Sequence, residues 1–110
     1  MARDVREEFV ARVKSIDPIF KRGDLDGFWH LLPDLMAMAP ERVDLSQKKS
    51  HYLASLAARS LARDDPTSAL AFLDLADRIL DPLHLTEFLL NERADFRRQA
   101  EATLEAARTG

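Results

Sequence analysis

The side chains in this 110-residue chain with the means to do chemistry are few: His30, His51 and His84, two aspartate pairs, and serines at 46, 50, 55, 60 and 68. No histidine stands four residues from another, and there is no His-Glu-x-x-His, so the spacing that puts two imidazoles on one helix face for zinc is missing. Asp64-Asp65 and Asp74-Asp77 have the types needed for paired general acid and base. The first pair, however, precedes Pro66 as a helix cap would, and the second falls on the polar side of the helix that follows. None of the serines lies in a Gly-x-Ser-x-Gly elbow, and no glycine-rich loop exists to cradle a phosphate. No enzyme activity, cofactor, metal or small-molecule substrate is expected.

Composition narrows the classes further. Hydrophobic residues make up 46% and charged residues 32% of the chain, which is too apolar for a disordered segment and too charged for a membrane span. Sixteen basic against nineteen acidic side chains leave a formal charge of −3, so no general attraction to nucleic acid or anionic lipid is expected. The opening MARDVREEFVARV is charged in its first turn and lacks the apolar core of a signal peptide. With no cysteine there is no disulfide framework, which suits a reducing compartment. A cytoplasmic protein of one helical domain, residues 1–110, is expected.

Apolar spacing predicts about five helices and no strands. Val5, Phe9, Val13 and Ile16 form one stripe over residues 3–16, interrupted at Asp17-Pro18, where a bend or restart is expected. Asp24 is placed to cap a second helix with an inner stripe of Leu25, Phe28, Leu32, Leu35 and Ala39, kinked at Pro33. A third runs from Ser46 to about Arg63, with Leu53, Leu56, Ala57 and Ser60 on one face and only a narrow polar stripe; it is the expected centre of the fold. Asp65-Pro66 opens a fourth, and Asp81-Pro82 closes it while opening a fifth that runs to about Arg108. Leu85, Phe88, Leu89, Phe96, Ala100 and Leu104 are its expected inward positions, and Arg93, Arg97 and Arg98 are expected to pair locally with Glu92, Asp95 and Glu101. Connections this short make neighbouring helices pack as antiparallel hairpins.

The order large, large, small on the third helix and small, large, small at Ala69, Leu73 and Ala76 on the fourth resembles a tetratricopeptide unit over residues 50–83, with a partial half-unit at 23–40. Leu53, Ser60 and Asp64 stand where that family carries two aromatics and a turn glycine, and Pro82 falls one residue late. The architecture expected is therefore an all-α helical bundle or a short tetratricopeptide-like solenoid. The resemblance implies a peptide groove on His51, Ala54, Ala58 and Ala62, suited to an apolar peptide or to the chain's own first helix.

A second apolar strip, Trp29, Pro33 and Met36, lies beside the stripe that Phe28, Leu32 and Leu35 would bury. Trp is enriched at binding hot spots and Met adapts to varied partners, so this strip is a candidate contact surface for another protein or a second copy. The function expected is a protein-interaction module or homo-oligomeric adaptor. The alternative is a small regulatory or inhibitory protein, of the immunity-protein or secretion-chaperone kind, that neutralises one partner.

Overall fold

The computed structural model describes residues 4–109, so the predicted first residue of helix one, Arg3, lies outside them. It is all-α, as the spacing predicts: α1 Val5–Lys21, α2 Leu25–Met36, α3 Val43–Ala62, α4 Pro66–Ile79, a single 3-10 turn Pro82–His84, and α5 Glu87–Thr109, with no strand among the described residues. The chain divides into two units, one ending at Leu45 and one beginning at Ser46.

In the first unit α1 packs on α2. No restart occurs at Asp17-Pro18: α1 runs through Pro18 to Lys21. Pro18 and Lys14, whose carbonyl loses its donor to the proline, are both exposed, so water can satisfy what the ring removes. α1 ends at Gly23, with φ +87°: Gly23 N–H donates to the Phe20 carbonyl and Asp24 N–H to the Ile19 carbonyl, the paired bonds of a Schellman close. Asp24 then caps α2, accepting from Gly27 N–H at 3.0 Å. Gly27 is glycine for a reason, since a Cβ there would come within 2.9 Å of Asp24 Cγ. Phe20 and Phe28 meet with ring centroids 5.3 Å apart at 59°, a tilted aromatic pair that ties the two helices. α2 stays helical through Pro33 and stops at Met36. Ala39 therefore leaves the expected inner stripe and sits in the following turn with φ +39°.

The second unit repeats the turn. Asp64, φ +60°, takes the glycine's place; its N–H donates to the Leu61 carbonyl and that of Asp65 to the Ser60 carbonyl, after which Asp65 caps α4 by accepting from Ser68 N–H at 3.1 Å. Asp tolerates the left-handed region better than most residues, which is why one turn type serves with two sequences. Leu53, Leu56, Ala57 and Ser60 are all buried, as their stripe predicts. The core of this unit is a cluster of small and large side chains from three helices: Ala57, Ala69, Leu73 and Ala100, with Leu61, Leu70 and Phe96 packed on it. α4 packs along α5. Asp81-Pro82 does not open α5 directly: Asp81 caps only the 3-10 turn, by accepting from Leu83 N–H at 2.9 Å, and Thr86 caps α5, its Oγ1 accepting from Leu89 N–H at 3.2 Å.

Candidate functional site

The expected inward position of Phe88 is overturned. Phe88 is 70% exposed, and Leu83, in the 3-10 turn, is 91% exposed; no other large apolar side chain among the described residues comes close to either. On α5 the buried stripe is Leu89 and Ala100, with Phe96 partly covered. Phe88 stands one residue off that stripe, and the positions four, seven and eleven residues on from it are Glu92, Asp95 and Gln99. Its own helical stripe is thus polar, a signal the sequence carried.

The segment that displays these two residues is fixed at several points. Ser46 Oγ lies 3.0 Å from His84 Nδ1, Gln47 Nε2 donates to the His84 carbonyl at 3.1 Å, and Thr86 holds the first turn of α5. Ser46, His84 and Asp81 have the residue types of a nucleophile relay. Ser46 is 3% exposed, Asp81 Oδ2 is 3.8 Å from His84 Nε2, and Asp81 Oδ1 is taken by the Leu83 amide. The constellation ties the 3-10 turn to α3.

Beside Phe88 a shallow groove runs along α5, lined by Phe88, Asn91, Glu92, Asp95, Phe96 and Gln99. Its walls hold two aromatic rings and two carboxylates, and no lysine or arginine. Glu92 Oε1 is buried and accepts no hydrogen bond; His51 Nδ1 stands 3.5 Å from it, at ion-pair range only. Asp95 is engaged by Arg98, one turn along the helix.

Arg93 and Arg97 do not pair locally as expected. Arg93 Nε reaches Asp77 Oδ1 at 3.0 Å, while Arg97 spans two carboxylates, Asp74 Oδ1 at 3.0 Å and Asp77 Oδ2 at 2.5 Å. A pair three residues apart on α4 suits the two ends of one guanidinium, so Asp74 and Asp77 clamp α4 to α5. No group of three or more histidine, aspartate or glutamate side chains comes together as a metal site among the described residues. No helix among them is long and apolar enough to cross a membrane.

Of the strip predicted on α2, Pro33 is exposed, Trp29 half-buried and Met36 only 5% exposed, so its three members do not form one open surface. On α3, His51 is exposed at the groove's edge through Glu92, Ala58 is half-buried, and Ala54 is 2% exposed. Further along α3 the neighbours Lys48 and Lys49 face opposite ways, Lys48 exposed and Lys49 buried.

Comparison with known proteins finds no family model, no curated protein and no solved structure that matches the chain.

Proposed function

We propose that the protein is a protein–protein interaction module whose contact surface is the outer side of the segment from Leu83 to Gln99. The observation that carries this reading is the pair Leu83 and Phe88, two large apolar side chains left 91% and 70% exposed on a segment that hydrogen bonds hold in place. An isolated exposed leucine is ordinary, but a phenylalanine and a leucine five residues apart beside a groove with a second aromatic supply the apolar centre that interfaces need. The polar residues around them supply a rim. The resemblance of residues 50–83 to a tetratricopeptide unit supports the same role, with the peptide held along α5 instead of on His51, Ala54, Ala58 and Ala62.

Affinity capture from the native host, with the protein and its Leu83→Ser/Phe88→Ser variant side by side, tests the proposal. A partner retained by the protein and lost by the variant, with the thermal melt unchanged, is the expected result. Equal recovery by both would refute this surface. Several related partners identify an adaptor, and one dominant partner identifies the regulatory or inhibitory role.

A further inference from the structure

The chemistry of the α5 groove specifies its partner more closely, on the reading that this face is where the protein binds. Phe88 and Phe96 form the apolar part, and Glu92 and Asp95 are the charged side chains of the lining. Along residues 83–99 the acidic side chains are Glu87, Glu92 and Asp95 and the basic ones Arg93, Arg97 and Arg98; Arg93 and Arg97 are drawn away to Asp77 and Asp74 and Arg98 pairs with Asp95, which leaves Glu92 as the lining carboxylate with no arginine on it. An occupant with acidic side chains would be repelled, and one with lysine or arginine attracted.

Glu92 adds an independent observation. Its side chain is 17% exposed and its Oε1 is buried with no donor. A carboxylate oxygen taken from water without a hydrogen bond is unfavourable, and most such groups in folded proteins find a partner. The exposed His51 at 3.5 Å does not supply one. A primary ammonium or guanidinium entering the groove would, after a small rotation of the Glu92 side chain. The groove and its two aromatics lie along a single helix, which matches the repeat of an apolar and basic stripe on a second helix laid beside it.

We propose that the groove along α5 receives a cationic amphipathic helix of a partner protein, its apolar side on Phe88 and Phe96 and a lysine or arginine on Glu92.

The test uses the full chain and two labelled peptides of about four helical turns. One carries leucine and alanine on one face and lysine on the other; the second replaces every lysine with glutamate. Fluorescence anisotropy should show saturable binding of the lysine peptide, at least about tenfold weaker binding of the glutamate peptide, and weakening by added salt, as charge-steered contacts show. Phe88→Ala and Glu92→Gln/Asp95→Asn should each weaken the lysine peptide by about tenfold or more. Phe88 is surface-exposed, so its variant folds; an unchanged melt of both variants confirms that the loss is one of contact. Failure of the lysine peptide to bind, equal binding of the glutamate peptide, or binding indifferent to both variants would each overturn the proposal. So would sedimentation showing that a second copy of the chain already fills the groove. If the capture experiment succeeds while the lysine peptide fails, the interaction surface stands and only its partner's chemistry is wrong.

Discussion

Replacing Ala57 with leucine probes the packing that holds α3, α4 and α5 together. Ala57 has no exposed surface and lies among Ala69, Leu73 and Ala100, of which two are also alanines and none is exposed. Leucine adds roughly three methylene equivalents, which would be worth about 2.4 kcal/mol of burial if space existed for them. Three alanines meeting at one point mean helices already in close approach, so the added atoms must push Leu73 or a backbone aside. The expected outcome is a loss of about 1–3 kcal/mol, as overpacked cores show. Leu73→Ala alone should cost about 2–5 kcal/mol by leaving a cavity. Together they should cost less than the sum by about 0.5 kcal/mol or more, because the new leucine can enter the space that Leu73 leaves. Urea unfolding followed by circular dichroism at 222 nm measures all four proteins, with equal slopes confirming that stability alone has changed. A neutral Ala57→Leu, or strictly additive effects, would show that the alanines do not mark a close helix junction.

Two further outcomes follow from the turns and caps. Asp64 holds φ +60°, so Asp64→Val should destabilise by about 1–2 kcal/mol while Asp64→Gly is neutral or stabilising, measured by the same unfolding curves. Arg42 donates to both oxygens of Asp44, at 3.0 and 2.9 Å, and holds that carboxyl below its usual range. A carboxyl lowered in the folded state contributes stability above the ordinary carboxylate range, and that contribution is lost as pH falls through the range toward its depressed value. Asp44→Asn should therefore flatten the acid side of the urea-midpoint profile; an unchanged profile would show that the pair is not coupled to folding.

How far the sequence could be read depended on whether local chemistry or tertiary packing decided each element. Asp24, Asp65 and Pro66 announce the starts of α2 and α4, and the structure uses them as expected, because a cap acts on backbone groups within three residues of itself. At Pro18 the helix does not restart, and at Pro33 it runs on: a proline removes one hydrogen bond, and both prolines here are exposed, so water can satisfy the freed carbonyl. α5 starts later than Asp81-Pro82 suggests, because that pair copies the signal of Asp65-Pro66 while the operative cap, Thr86, lies five residues after Asp81. The earlier start carried Phe88 into the predicted core, although its polar followers at 92, 95 and 99 argued for the surface. The clamp of Arg97 on Asp74 and Asp77 was out of reach, since helical spacing reports neighbours on one helix and this contact joins two. The orphaned oxygen of Glu92 is likewise a product of packing, with no local sequence mark.

Hydrogen–deuterium exchange of the protein, free and bound to the partner obtained by capture, tests the central claim most directly because it maps the contact without altering a residue. The account predicts that binding slows exchange over residues 83–99, where Leu83, Phe88 and the α5 groove lie, and leaves residues 25–36 as they are. Slowed exchange over Trp29, Pro33 and Met36 with none at 83–99 would contradict it and move the interaction surface to α2.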